Sequence, residues 1–403
     1  MRRSQSGVRV SGGIVAVALA LAVALAWSAV AGRFPLWLRA APGPAAGGAP
    51  AASPGSQSQA SRPPGALTPG QMAGQRVIYS YSGLEPPASL LQLIRQGEAG
   101  GVIFFGQNVS SQSQIASVIA ELEQADASPQ NPVRAPLLLM TDQEGGMIRR
   151  VPGAPLLAER QIAESADPPA DAAGAGSGAA LNLRGLGMNV NLAPVLDVYR
   201  QRDDFDDQYQ RSYSMSPAVA AELGARFITA QQAAGVAATA KHFPGLGAAA
   251  RRQDTDERPV TLKVPLATIR DVDEVPYKAA IASGVRLVMV SWAVYPALDP
   301  SRPAGLSPAI VGGELRRRLG FRGVTITDAL EAGALRAYGS TQNRALLAAK
   351  AGMDLILCSQ QDVSQGEQAA AALAAGLRDG DLGKPAFTAA LRRVLALRAG
   401  LER

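Results

Sequence analysis

The sequence is poor in the residues that usually build metal centres and disulfide frameworks. A single cysteine, Cys358, excludes internal disulfides and any cysteine-rich zinc site. A single histidine, His242, excludes histidine-clustered metal centres and most two-histidine catalytic schemes. Aromatic residues are scarce at 5%, and charged residues make up only 18%. The hydrophobic share is nevertheless 47% of 403 residues, which rules out a wholly disordered chain. Glycine and proline are plentiful but follow no three-residue period, so a collagen-like helix is excluded. The formal net charge of +6 suits an anionic cell envelope as well as nucleic acid, and no nucleic-acid partner is expected.

The N-terminus points to export. Arg2, Arg3 and Arg9 precede an uncharged apolar run over 12–31, the pattern of a signal sequence. Ala29-Val30-Ala31 before Gly32 resembles a small-residue cleavage site. The run is also long enough to span a bilayer as an uncleaved anchor. Residues 1–39 are therefore read as a signal peptide or signal anchor, with the rest of the chain outside the cytoplasm, secreted or held to the membrane. Residues 40–72 are mostly Ala, Pro, Gly, Ser and Gln, too polar and too small to offset their ordering entropy. They read as a linker.

From residue 73 onward, short apolar runs alternate with helical patterns. Strand candidates fall at 76–82, 101–105, 137–141, 188–192, 237–241, 285–291, 323–327 and 354–358. None alternates with polar residues, so both faces should be buried. Ser110 can cap a helix carrying Ile115, Val118, Ile119 and Leu122 at helical spacing. Ser216-Pro217 starts another that Gly235 ends, and Ser307-Pro308 a third. Eight strand–helix units favour an α/β fold of the (β/α)8 TIM-barrel type, with an open doubly wound sheet as the structural alternative.

In such a barrel, chemistry sits where the strands run out into loops. Asp142, Asp197, Lys241, His242 and Asp328 all follow apolar strands directly. Several charges gathered at one end of successive strands outline a polar cup for a hydroxyl-rich ligand, and no metal or cofactor is required. Asp354 precedes the last strand and reads as a turn or cap residue on the opposite rim. Two segments read as decoys. Gly245-Leu246-Gly247-Ala248-Ala249-Ala250 mimics a dinucleotide turn but runs into a charged stretch without an apolar helical face. Asp203-Asp204-Phe205-Asp206-Asp207 lacks calcium-loop spacing and reads as a solvated loop.

The motifs in their order resemble glycoside hydrolase family 3, in its single-domain β-N-acetylhexosaminidase branch. They include Gly100-Gly101-Val102-Ile103-Phe104-Phe105, Thr141-Asp142-Gln143-Glu144-Gly145-Gly146 with Arg150, and Leu192-Ala193-Pro194-Val195-Leu196-Asp197. Arg211-Ser212-Tyr213, Lys241-His242-Phe243-Pro244-Gly245, Thr327-Asp328 and Ala351-Gly352-Met353-Asp354 follow. The resemblance covers roughly residues 72–400 and implies a single catalytic barrel, 73–403, without the second sandwich domain of larger members. It implies a retaining mechanism with Asp328 as the nucleophile. It further implies that Asp142, Arg150, Arg211, Lys241 and His242 grip the sugar beside the scissile bond. A carbohydrate substrate from the cell wall and a monomeric chain are expected.

The resemblance breaks in the loop after the fifth strand. The family has Gly-His-Gly followed by Asp-Ser-His there, and the final Asp and His form its acid/base dyad. Here Asp254 fits the family aspartate and Asp256 falls where the histidine should stand. Trp292 replaces a common histidine after strand six, Ala329 replaces an acid after Asp328, and Met147 stands where arginine is common. Two readings follow. Asp256 or Glu257 serves as acid/base with a raised pKa, or hydrolysis is weakened and the domain binds envelope glycan as a non-catalytic scaffold.

Overall fold

The structure is a computed structural model that describes residues 67–401; the expected signal segment lies outside the described residues. Eight parallel strands form the central sheet: β1 (Val77–Tyr79), β2 (Gly101–Ile103), β3 (Leu138–Thr141), β4 (Val190–Asn191), β5 (Ala237–Phe243), β6 (Leu287–Val290), β7 (Val324–Thr327) and β8 (Ile356–Leu357). Each strand pairs with its sequence neighbour, and β1 pairs with β8. A parallel bridge between Ile326 and Leu355 joins β7 to the start of β8 and closes the ring. Closure excludes the open sheet. The strands are a residue or more shorter than their apolar runs, apart from β5, which continues through His242 and Phe243.

The uniform apolarity of the strands hides a period of two. Ile78, Ile103, Leu138, Met140, Leu287, Met289, Val324 and Ile326 point inward and fill the barrel. Their neighbours Val77, Val102, Leu139, Val288 and Ile356 point outward and pack beneath the helices. Both faces are buried, so neither carries polar residues to mark it. Val394, Leu397 and Leu401, on and just after the helix Lys384–Ala399, join the inner cluster and plug the end where the strands begin.

Helices follow the strands as the caps imply, with local corrections. Gln112–Asp126 is capped by Ser111, whose hydroxyl accepts the Gln114 N–H, and not by Ser110. Pro217–Ala233 begins at the expected proline. The folded region also starts earlier than the composition implied. Thr68 and Gln71 form a capping box at the head of helix Pro69–Gly74, whose Met72 is buried. The end of the expected linker is therefore ordered. Two short hairpins, Gln143–Gly145 with Ile148–Arg149 and Val294–Tyr295 with Asp299–Pro303, decorate the ends of β3 and β6.

Asp354 is not a cap. It is fully buried, and its carboxylate takes Arg316 at 2.5 Å, Arg393 at 2.7 Å and the Thr325 N–H at 2.9 Å. It ties helices to the barrel floor. Cys358 is buried among apolar side chains, and burial pushes its thiol well up from the usual range.

Candidate active site

The inward parity of the strands carries past their ends. Asp142 continues the inward series of β3, Lys241 that of β5 and Asp328 that of β7, so three strands deliver charged groups to one mouth. A cleft opens there, with a volume of about 190 Å³. Asp142, Arg150, Arg211, Lys241, His242, Asp256 and Asp328 all line it. Of the expected site residues, Asp197 and Glu257 are outside the lining, and so is Asp254. Its carboxylate accepts the Asp256 N–H at 2.8 Å and shapes the turn that carries Asp256.

Lys241 is almost fully buried, which an ammonium tolerates only with partners. It has two: Asp142 Oδ1 and Glu144 Oε1, each at 2.7 Å. Glu144 also takes a forked pair of bonds from Arg211, at 2.8 and 2.9 Å. Burial alone would raise the Glu144 carboxyl, but Arg211 and Lys241 outweigh it and hold it down at about 2. Glu144 is thus the fixed anion that orients both cations toward the cleft. It is placed by Asn191, whose side-chain amide bonds both backbone groups of Gln143, at 3.0 and 2.9 Å. The Arg150 side chain makes only a loose contact with the Asp142 carboxylate, 3.9 Å away, and its Nε has no hydrogen-bond partner among the described residues.

His242 is oriented by Asp197. Its Nδ1 lies 2.7 Å from Asp197 Oδ2, so Nδ1–H donates there and Nε2 is free to accept. Burial is the main influence on the imidazole and lowers its pKa, so the ring is neutral near pH 7. Asp197 also accepts the N–H groups of His242 and Leu246. Behind it lies Asp206, which bonds Arg211 at 3.2 Å. Burial raises Asp197 to about 6. Burial and then the Asp197 charge raise Asp206 to about 7, and a proton shared between the two relieves their repulsion. Ligand atoms of Asp197, Asp206 and His242 lie within 4.8 Å of one another, close enough to share a cation. Protein N–H groups already occupy both Asp197 oxygens.

The acidic run 203–207 is a correction. Asp204, Asp206 and Asp207 are buried, and Phe205 lines the cleft. Asp207 receives Arg160 at 2.7 Å, and Asp204 accepts the N–H groups of Arg200 and Gln201. Paired arginines and backbone donors keep the run inside, where isolated acids would not stay. Glu144 and Asp206 were missed as site residues. Glu144 sits within the Asp142–Gly146 motif, and Phe205 amid the acids was the one sign that the run is not all solvated.

The loop after β5 is docked rather than free. Leu246 N–H is held by Asp197, and Ala249 O accepts the Phe205 N–H at 3.0 Å. Asp256 O and Thr255 O accept the N–H groups of Gly333 and Ala334, at 2.6 and 3.0 Å. Gly333 is glycine for this seat, because a Cβ there would meet Glu257 O at 2.1 Å. Asp256 is exposed at the cleft mouth, where it lines one wall. Desolvation by the surrounding protein, then the charges of Asp328, Asp254 and Glu331, raise its carboxyl to about 7. Glu257 is exposed and paired with Arg258 at 2.6 Å, outside the cleft lining. Trp292 is fully buried, and its indole N–H donates to Ala329 O at 2.8 Å, bracing the residue that follows Asp328. Met147 is 68% exposed on the outside of its hairpin.

A closed β/α barrel with acids, a lysine and a neutral histidine around a cleft at its strand ends is an enzyme architecture suited to polyhydroxylated ligands. The glycosyl hydrolase family 3 N-terminal domain matches residues 70–397, and the chain belongs to this family. It is a glycoside hydrolase. An "uncharacterized secreted glycosyl hydrolase" of Arthroderma benhamiae is 44% identical over 330 residues, covering 82% of this chain and 93% of that protein. A β-hexosaminidase of Xanthomonas axonopodis pv. citri is 31% identical, covering 73% of this chain and 86% of its own. Among solved structures, a family 3 β-N-acetylglucosaminidase from Paenibacillus superposes with a TM-score of 0.78 at 34% identity, covering 83% of this chain and 63% of that one. A β-N-acetylhexosaminidase from Beutenbergia cavernae does so with 0.74 at 31%, covering 82% and 98%. This chain therefore spans somewhat under two thirds of the Paenibacillus protein. Among the described residues, no helix is long and apolar enough to cross a membrane.

Proposed function

We propose that this chain is an exported, retaining β-N-acetylglucosaminidase acting on cell-wall glycan, with Asp328 as nucleophile and Asp256 as acid/base. The observation that carries this is the pairing of two acids on one cleft, one of them with a raised pKa. Asp256 faces the same cleft as Asp328, and the Asp328 charge helps to raise it to about 7. A carboxyl that holds its proton near neutrality is what a general acid needs. The names of the Xanthomonas, Paenibacillus and Beutenbergia proteins support the N-acetylhexosamine specificity, and the secreted Arthroderma relative supports export.

In the first step the Asp328 carboxylate attacks the anomeric carbon while Asp256 donates its proton to the glycosidic oxygen. The bond to the leaving group breaks and a glycosyl ester forms on Asp328. In the second step Asp256, now a carboxylate, takes a proton from water, and the water oxygen attacks the same carbon. The ester opens, Asp328 is restored and Asp256 is again protonated. Lys241, Arg211 and Arg150 donate to sugar oxygens, Asp142 accepts from hydroxyls, and neutral His242 accepts through Nε2. The test is release of product from aryl N-acetyl-β-glucosaminide by the parent chain and by Asp328→Ala. Turnover lost in the variant supports the assignment. No turnover in the parent, or the same turnover in both, rejects it and favours a glycan-binding protein without catalysis.

A further inference from the structure

The face opposite the cleft carries a concentration of unpaired positive charge that the hydrolytic site does not use. Three concavities, of about 380, 400 and 430 Å³, lie along the helix Lys384–Ala399. Two of them open where strands begin. Arg76, Met353 and Arg316 line the first, and Arg286, Gly323 and Arg322 the second. Arg393 belongs to both. The third, between the first helix and the last two, holds Arg378, Lys384 and Arg392.

Counter-charge on this face is sparse. Asp354 engages Arg316 and Arg393 but is one carboxylate for two guanidiniums. Asp381 is the acid on the walls of the three concavities, with Asp379 exposed beside Arg378. Arg322, Lys350, Arg378, Lys384 and Arg392 are exposed and make no ion pair among the described residues. The cleft differs in kind, since Asp142, Glu144, Asp256 and Asp328 stand there beside Arg150, Arg211 and Lys241.

We propose that the basic face docks on an anionic phospholipid surface. Charge complementarity identifies the partner as anionic. The route of the chain favours a membrane over a soluble polyanion. Leu67 and Pro69 line the same concavity as Arg378, Lys384 and Arg392. The chain that precedes them carries the uncharged apolar run over 12–31 and a linker of small residues. Chain entry and positive charge therefore lie on one side. Docked this way, the barrel turns its strand ends, and so its cleft, away from the lipid and toward glycan beyond it.

The test uses the full chain with vesicles of neutral phosphatidylcholine and of phosphatidylcholine with anionic phosphatidylglycerol, compared by co-sedimentation. The apolar run partitions into both vesicles, so the readout is the ratio of the two partition coefficients. A basic residue near an anionic surface contributes about fivefold. Reversing Arg378, Lys384 and Arg392 together to Glu is expected to lower the ratio by more than tenfold. The same change should erase most of the loss of binding on going from low to high salt. Reversing Arg226 and Lys263 to Glu, exposed residues outside the three concavities, should leave the ratio unchanged. Thermal melts of each variant establish that the fold is retained. An unchanged ratio in the triple variant overturns the proposal. Preference for soluble polyphosphate over anionic vesicles, lost in the same variant, overturns it in favour of a soluble polyanion.

Discussion

Replacing Asp256 separates acid catalysis from every other contribution of the cleft. Its side chain holds no part of the sugar-gripping network, since Lys241, Arg211, Asp142 and Glu144 bond to one another without it. Asp256→Ala should therefore leave binding and the nucleophile in place and remove a proton donor. A positioned general acid is worth about 10²–10⁴-fold when the leaving group needs a proton. Alkyl and sugar leaving groups should lose that much, whereas a nitrophenyl leaving group, which departs as a stable anion, should lose less than about tenfold. The pH profile gives the sign independently. The acid works only when protonated, so with its pKa raised to about 7 the parent rate on sugar substrates should fall above neutrality. Far above that pKa the fall approaches about tenfold per pH unit. Initial rates on a chitooligosaccharide and on an aryl glycoside between pH 5 and 9 check both points. Equal slowing of both substrates by Asp256→Ala, or a parent profile on oligosaccharide that stays flat from pH 7 to 9, would refute an acid role.

Other expectations follow from the same geometry. Gly333→Ala should push Glu257 O away from its seat and lift Asp256 from the cleft, lowering oligosaccharide turnover at least tenfold while sparing aryl glycosides more; paired kinetics with the two substrates show it. Asp197→Ala leaves the N–H groups of His242 and Leu246 and the His242 Nδ1–H without their acceptor. At about 1–3 kcal/mol for each buried unpaired donor, a loss of about 3 kcal/mol or more is expected in denaturant unfolding. Asp197 and Asp206 keep protons in the fold at pH values where the unfolded chain has lost them. Folding thus takes up protons between about pH 4 and 7, and this pair makes stability decline as pH rises through that window. Asp206→Asn should reduce the decline in Tm between pH 5 and 8; an unchanged slope would contradict the shared proton.

The barrel was legible because each strand is a short apolar run and several of the helices carry start or stop signals. Strand ends were less so, since the hydrogen-bond ladder stops where neighbours stop, not where apolar residues do. β4 keeps only Val190–Asn191 of its run. The cleft residues on strand ends were legible by motif and by their place directly after apolar runs, and the structure brings Asp142, Lys241, His242 and Asp328 to one cleft. What escaped were residues whose environment is made by distant chain. Nothing local to Asp206 tells that Arg211 and Asp197 bury it, and nothing local to Asp354 tells that Arg316 and Arg393 converge there. Asp254 fits the family aspartate and Asp256 falls at the histidine position, but only the docking of that loop on Gly333 and Ala334 tells that Asp256 lines the cleft while Asp254 shapes the turn.

The most direct measurement is covalent trapping. The full chain is incubated with a fluorinated N-acetylglucosaminide-type substrate bearing a good leaving group, digested and mapped by mass spectrometry. The expected result is one glycosyl adduct, carried by the peptide containing Asp328 and missing in Asp328→Ala. An adduct on another acid of the cleft, or product release with inverted configuration at the anomeric carbon, would contradict it.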